Sequence, residues 1–168
     1  MNHIKNKKDL EATIEDIRKY AYSYLEKYSP SKQQLKTHLF KKIIKKGYKI
    51  SDKRELMNLI GEVMLTLEDQ KFINDKYYSD LKAKFFLKKG YSLNKIRYNL
   101  INKGIDEKYI KASISKIKEN ETDPDFFSAI KVCKRRRIGP SREEGNRVLF
   151  FKKDISILAR SGFSYEIS

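Results

Sequence analysis

Apolar residues recur along most of the chain with the three- and four-residue spacing of an amphipathic helix. The clearest stripe is formed by Leu56, Leu59, Ile60, Val63 and Leu67, at offsets of 0, 3, 4, 7 and 11. That spacing places all five side chains on one face of a helix. No segment shows the sustained alternation of apolar and polar residues that a half-buried strand requires. The pattern therefore predicts an all-α protein with no strands.

Residues typical of helix ends separate these stripes. Ser31 is predicted to begin a capping box. In this motif the side chains of the capping residue and of the residue three positions later each accept a hydrogen bond from the other's backbone N–H. Either Asn74 or Asp75 is predicted to cap a later helix, and Asp123 is predicted to cap a third, followed by Pro124 at the first helical position. Glycines are expected to end helices in the left-handed conformation that their missing Cβ permits. These glycines are Gly47, Gly90, Gly104 and Gly162.

The sequence of helix, glycine and capping residue occurs three times, which indicates an internal repeat. One such unit cannot bury its own apolar face, so neighbouring units are expected to stack into an array. We predict a polar N-terminal tail over 1–8 and three-helix repeats over 9–70, 71–120 and 121–168. The third repeat is expected to be incomplete, because a final helix should begin after Ser164.

Aromatic residues fall on several of the apolar stripes and are predicted to contribute to the core. These residues are Tyr24, Phe85, Phe126 and Phe163. Leu81 is expected to accompany Phe85, and Cys133 to accompany Phe126, on the buried faces of their helices. Tyr91 and Tyr165 adjoin helix starts, where packing against the following turn is favoured over stacking on bases.

Charge points to an anionic partner. The chain carries a formal net charge of +16, which favours binding to nucleic acid, although a lysine-rich surface can also serve solubility alone. Seven lysines and no acid lie between positions 32 and 49, and twelve cations against three acids lie between 76 and 118. A third run of four cations spans 134–137 and exceeds what a helix C-terminus needs for its dipole.

Candidate chemistry for catalysis is weak, and we predict a protein that is not an enzyme and needs no metal or cofactor. His3 and His38 are the only histidines, and no group of His and Cys has metal-ligand spacing. Gly61 stands alone inside a helical stripe, so it does not form a phosphate-binding loop. The single Cys133 rules out an internal disulfide and favours a reducing, cytoplasmic environment. No apolar run approaches the length of a membrane span.

Several motifs, in order and spacing, resemble the bacterial RecX family of regulatory proteins. They are FINDKYY at 72–78, KKGYS at 88–92 followed by Ile96, the segment 100–105, RRRIGP at 135–140 and RSGFSY at 160–165. The resemblance covers roughly residues 10–168. Family members usually continue beyond the last motif into a further helix, so we do not expect the docking functions of that helix from residues 1–168.

The resemblance implies an elongated, curved array of tandem three-helix repeats. It also implies a partner of the RecA recombinase filament on single-stranded DNA, which modulates, usually by inhibition, its ATPase and strand exchange. We expect this partner to be a monomer. The alternative is a free-standing basic protein of helix-turn-helix type, binding duplex DNA, although no helix concentrates the Arg, Asn and Gln of base readout. The predicted RecA- or DNA-binding residues are Lys41, Lys42, Lys45, Lys46, Lys88, Lys89, Lys95, Arg97, Lys134, Arg135, Arg136 and Arg137.

Overall fold

The structure is a computed structural model that describes residues 10–168. The predicted N-terminal tail and His3 lie outside these residues. The described part is helical and contains no strand, as predicted. Its helices are α1 (Ile14–Leu25), α2 (Lys32–Lys45), α3 (Lys53–Asp69), α4 (Asp75–Lys88), α5 (Leu93–Asn102), α6 (Glu107–Asn120), α7 (Pro124–Arg136) and α8 (Glu144–Arg160), with a 3₁₀ turn at Gly139–Ser141.

The chain divides into two compact units, Met1–Tyr78 and Ser79–Ser168. In the first unit each of the helices α1, α2 and α3 contacts the other two. Their shared core contains the fully buried side chains of Ile17, Leu35, Leu39, Ile43 and Ile60. Burying such a set stabilises the unit because each large aliphatic side chain contributes about 1.5–3 kcal/mol.

The second unit contains most of α4 together with α5 to α8. Ile96 and Leu100 of α5 and Ile110 of α6 are fully buried. Ser79 of α4 and Ser113 of α6 form a buried hydrogen bond of 2.8 Å, which allows these two helix faces to be polar where they meet. The predicted limits of the three repeats, at 70 and 120, fall between helices α3 and α4 and between α6 and α7. They remain a prediction.

Helix capping agrees with the sequence prediction at the start of α2 and differs from it at the start of α7. Ser31 and Gln34 form the capping box at the start of α2, and Ser92 accepts a hydrogen bond from the Lys95 N–H at the start of α5. The open choice between Asn74 and Asp75 is resolved, because Asn74 Oδ1 accepts the hydrogen bond from the Tyr77 N–H. The side chain of Asp123 caps nothing, since this residue is left-handed at φ 45° and its side chain makes no cap hydrogen bond.

Three residues predicted to lie in the core are instead exposed. Leu81 is exposed, Phe85 is 46% exposed and Phe126 is 51% exposed. On α4 the buried positions are Tyr78, Ser79 and Ala83, and the small side chains of Ser79 and Ala83 let a neighbouring helix approach closely. Phe126 borders an open groove. Phe163, by contrast, is buried as predicted.

Candidate functional site

The first group of predicted binding residues lies on the C-terminal half of α2 and at Lys46, the residue that caps it. Lys41, Lys45 and Lys46 are exposed, because the opposite face of the helix buries Leu35, Leu39 and Ile43. Lys42 is half-buried, with its Nζ 5.8 Å from the centre of the Tyr20 ring. This group, the α2 cluster, belongs to the first unit.

The second group lies on both sides of the Gly90 turn in the second unit. Lys88 and Lys89 are exposed at the end of α4, and Lys95 is half-buried in the first turn of α5. Lys89 Nζ lies 4.3 Å from the centre of the Phe85 ring, and Lys95 Nζ lies 4.5 Å from the centre of the Tyr91 ring. Cations at this distance from an aromatic face are attracted by its quadrupole. The exposed Phe85 therefore positions an ammonium group at the surface.

Arg97 differs from its predicted companions. Its Nη2 lies 2.9 Å from Glu107 Oε1, and its Nε donates to the same oxygen at 3.0 Å. Glu107 begins α6, so this ion pair links α5 to α6. The sequence spacing did not predict this contact. Because the carboxylate offsets its charge, Arg97 is the weakest candidate for binding a phosphate.

The third group lies at the C-terminal end of α7. Lys134, Arg135 and Arg136 occupy its last turn, and Arg137 is the left-handed residue that ends the helix at φ 52°. All four side chains are exposed. Cations at a helix C-terminus are favoured by the macrodipole, so the position of these residues is electrostatically favourable.

The structure brings the second and third groups together. Arg135 Nη1 donates a hydrogen bond of 3.0 Å to the backbone carbonyl of Lys89. The Gly90 turn lies directly against α7, where a Cβ on Gly90 would come within 3.3 Å of the Ser128 carbonyl oxygen. We call the joined cations Lys88, Lys89, Lys134, Arg135, Arg136 and Arg137 the joint cluster. Residues 45 or more positions apart in the sequence thus form one basic surface within the second unit.

An acidic residue of α8, which the sequence analysis did not single out, binds the loop between α7 and α8. Asp154 of α8 has only 5% of its side chain exposed. Its carboxylate accepts hydrogen bonds from Arg142 Nη2 at 2.7 Å, Arg142 Nε at 2.9 Å and the Gly139 N–H at 2.8 Å. The Arg142 hydrogen bonds hold the pKa of Asp154 below its usual range, with the Gly139 N–H adding to this effect. A sequence signal existed, because Asp154 lies on the same helical stripe as Leu158.

Other chemistry in the described residues is limited. No group of three His, Cys, Asp or Glu side chains in residues 10–168 could hold a metal ion. Cys133 is buried, and its burial raises the pKa of its thiol above the usual value. That shift disfavours the reactive thiolate. No helix in this part of the chain is long and apolar enough to cross a bilayer.

The fold and the charged surface define a basic protein that is helical over residues 10–168. No model of a known protein family matches the chain. It is 25% identical over 150 residues to "Regulatory protein RecX" of Myxococcus xanthus (strain DK1622), a match that covers 88% of this chain and 79% of that protein.

Two solved structures share the fold. The crystal structure of RecX from Lactobacillus salivarius superposes with a TM-score of 0.64 at 20% identity, covering 92% of this chain and 90% of that one. A second crystal structure, of a regulatory protein RecX, gives a TM-score of 0.62 at 20% identity and covers 92% of this chain and 70% of that one. The resemblance to the RecX family, drawn first from the motifs, is therefore confirmed, and so is the all-α fold.

Proposed function

We propose that this protein binds the RecA recombinase and its filament on single-stranded DNA, and reduces the ATPase and strand-exchange activities of that filament. It would thereby regulate homologous recombination and DNA repair, including the SOS response, in the bacterial cytoplasm. The similarity to regulatory proteins of the RecX family supports a regulatory role. The observation that carries the proposal is the contact between Arg135 and the Lys89 carbonyl, because it makes one basic surface from two distant segments.

The joint cluster has the properties of a surface for an anionic polymer. Its side chains are exposed, so binding a phosphate would not require a core side chain to move. Lysines and arginines bound to phosphates set the position of a protein on nucleic acid and read no sequence. This suits a partner that must bind wherever a filament has formed.

The α2 cluster is proposed as a second contact region in the other unit. Two contact regions on one chain raise the effective concentration of the second after the first has bound. Neutralising one region should therefore weaken filament binding by more than the loss of its own contacts. A monomer suffices for this arrangement.

The decisive experiment measures the single-strand-dependent ATPase of RecA with and without this protein. A slight molar excess of the protein should lower the rate. The fourfold variant Lys88→Gln, Lys89→Gln, Lys134→Gln and Arg136→Gln should lose most of this inhibition. Arg135 is kept in that variant, because it holds the Lys89 carbonyl and so preserves the turn.

The matched control removes the same number of exposed cations elsewhere on the second unit. Its changes are Lys111→Gln, Lys118→Gln, Lys152→Gln and Lys153→Gln. This control should inhibit as the unchanged protein does, and both variants should keep the same helicity and melting temperature, because exposed charges contribute little to stability. An unchanged ATPase rate, with no binding to RecA or to its filament, would refute the proposal. Equal inhibition by both variants would remove the joint cluster from the interface.

A further inference from the structure

Three aromatic side chains form a continuous row on α4 and on the turn that follows it, within the second unit. The ring centres of Phe85 and Phe86 lie 5.8 Å apart, and those of Phe86 and Tyr91 lie 5.2 Å apart with nearly parallel planes. Phe86 and Tyr91 are half-buried, whereas Phe85 is 46% exposed and forms the uncovered end. We call these three residues the aromatic row.

Lysine side chains lie over the rings of the aromatic row. Lys82 Nζ is 5.6 Å and Lys89 Nζ is 4.3 Å from the centre of the Phe85 ring, and Lys95 Nζ is 4.5 Å from the centre of the Tyr91 ring. An exposed ring beside cations offers a nucleotide two contacts at once, because its base can stack on the ring while its phosphate binds an ammonium group.

The charge around the aromatic row suits an anionic ligand. Positions 81–105 contain seven cations and no acid. Asp80, which precedes this stretch, binds the side chains of Lys116 and Ser113. Two of the seven cations belong to the joint cluster, so the aromatic row and the phosphate-binding surface of the proposed function are continuous. Complementary charge therefore favours a nucleic acid over an acid-free apolar ligand at Phe85.

An exposed ring adds a property that cations lack. Phosphate contacts alone do not favour a single strand, because duplex DNA carries the denser charge. In a duplex each base is covered by its neighbours, whereas an unpaired base can place its face on an aromatic side chain. Such stacking tolerates every sequence, since every base has a π-face. Phe85 is the member of the aromatic row with a ring to offer, because Tyr91 already stacks on Phe86.

We propose that Phe85 stacks on an unpaired base of single-stranded DNA while Lys88 and Lys89 bind the adjoining phosphates, and that this contact makes the joint cluster prefer single strands to duplex. Phe86, packed on Tyr91, ties the end of α4 to the Gly90 turn and so keeps Phe85 beside Lys89. This contact rests on the DNA binding of the proposed function, and it assigns to one residue the distinction between an unpaired strand and a duplex.

Three DNA probes of equal length separate base contacts from phosphate contacts without any RecA. They are a thymidine single strand, a single strand of abasic sites with the same phosphates, and a duplex. Binding of each to the full chain is measured by fluorescence anisotropy at one salt concentration, because salt alone changes the affinity. The thymidine strand should bind at least about fivefold more tightly than the abasic strand, the lower end of what stacking one base contributes. It should also bind more tightly than the duplex.

Two phenylalanine variants test where the base stacks. Phe85→Leu removes the ring but keeps an apolar helix former, so it should bind the thymidine strand at least about fivefold more weakly and the abasic strand as before. Phe127→Leu is the matched control, because Phe127 belongs to the same unit, is 52% exposed and lies two residues from Asp125. It should keep the full preference for thymidine. Both positions are exposed, so both variants should keep the melting temperature of the unchanged protein.

Tryptophan fluorescence gives a second readout, because the chain contains no tryptophan. Phe85→Trp and Phe127→Trp each introduce a single indole. The thymidine strand should quench the fluorescence of Phe85→Trp by stacking on the indole, and the abasic strand should not. Neither strand should change the fluorescence of Phe127→Trp.

Equal affinity for the thymidine and abasic strands would refute stacking at Phe85 and leave the phosphate contacts of the proposed function intact. Absence of binding to all three probes would refute both the stacking and direct DNA binding, and the RecA ATPase would then decide the regulatory role separately. A Phe85→Leu variant that still prefers thymidine, yet binds the RecA filament more weakly, would assign Phe85 to a protein contact and overturn its role in base stacking.

Discussion

The carboxylate of Asp125, in the first turn of α7, accepts a hydrogen bond of 2.7 Å from the backbone N–H of Leu93, the first residue of α5. The same relation occurs in the other unit, where Asp75 at the start of α4 accepts a hydrogen bond of 2.8 Å from the N–H of Lys32, the first residue of α2. Each acid therefore lies near two helix N-termini at once, where negative charge is favoured. An acid at the start of one helix thus binds the first N–H of another helix in the same way in both units.

Removing one of these acids should separate the helices it joins. Asp125→Ala should lower the free energy of unfolding by about 1.5 kcal/mol, because a charge-assisted hydrogen bond to a half-buried N–H is lost. Asp125→Asn keeps an acceptor oxygen and should lose less than half of that. Urea unfolding, followed by circular dichroism, measures both.

Asp123→Asn is the matched control for this prediction. It removes the same charge two residues away, and the Asp123 side chain makes no cap hydrogen bond. Asparagine also tolerates the left-handed backbone found there. A loss of stability as large as that of Asp125→Ala would show that charge near α7 matters, and that the hydrogen bond to Leu93 does not.

Two glycine-to-alanine changes should act in opposite directions. Gly162 has φ 87°, and a Cβ there would lie 2.6 Å from Ser92 Oγ. That hydroxyl accepts from the Lys95 N–H and donates to the Ser161 carbonyl. Gly162→Ala should therefore destabilise the protein by about 2 kcal/mol or more, through the left-handed backbone and the disturbed cap of α5.

Gly61 is the comparison position. It lies inside α3, and a Cβ there would meet nothing within 4 Å. Gly61→Ala should stabilise the protein by about 0.5–1 kcal/mol, because glycine loses more backbone entropy in a helix. The two changes are compared by melting temperature. A stabilising effect of Gly162→Ala would contradict the close contact with Ser92.

Asp154 should make the stability of the protein depend on pH. Its pKa lies below the usual value because Arg142 donates hydrogen bonds to it. The ionised form therefore stabilises the fold fully above the ordinary Asp pKa of about 3.9, and this contribution is lost as pH falls through the lowered pKa. Asp154→Asn should cost about 2 kcal/mol at neutral pH, at the low end for a buried pair because Arg142 is partly exposed.

The cost of Asp154→Asn should shrink as the pH of urea unfolding is lowered from 7 to below 3. Glu62→Gln, a change of an exposed carboxylate on α3, should show no comparable dependence. If the free energies of unfolding of wild type and Asp154→Asn differ by the same amount across this pH range, the charge of the carboxylate does not contribute to stability.

Binding of the isolated protein to DNA should depend steeply on salt. Each phosphate neutralised on a single strand contributes roughly −0.7 to the slope of log affinity against log salt. The fourfold joint-cluster variant should therefore have a shallower slope by about 0.7 for every cation that contacts a phosphate, and the fourfold control variant should keep the original slope. A flat response would show that the protein neutralises few phosphates, whereas a strong preference for one duplex sequence would favour the helix-turn-helix alternative.

Local features of the fold followed from the sequence alone. The cap at Ser31, and the burial of Leu56, Ile60, Val63 and Leu67 on one face of α3, were predicted and are present. Helical spacing and capping depend on residues three or four positions apart, so they can be recognised without knowing the neighbours in space. The basic segments were identified in the same way, since charge is a property of composition.

Contacts between distant segments were decided by the tertiary structure. The sequence did not show that Arg97 is paired with Glu107, that Arg135 meets the Lys89 carbonyl, or that Asp154 holds Gly139 and Arg142. Phe85 and Phe126 lie on apolar stripes, yet they are exposed. An apolar stripe indicates which face of a helix could be buried. The packing of neighbouring helices determines which part of that face is covered. Composition alone indicated an anionic partner, because charge does not depend on packing. The positions of the joint cluster and of the open groove beside Phe126 could be seen only in the folded chain, because they depend on which helices lie side by side.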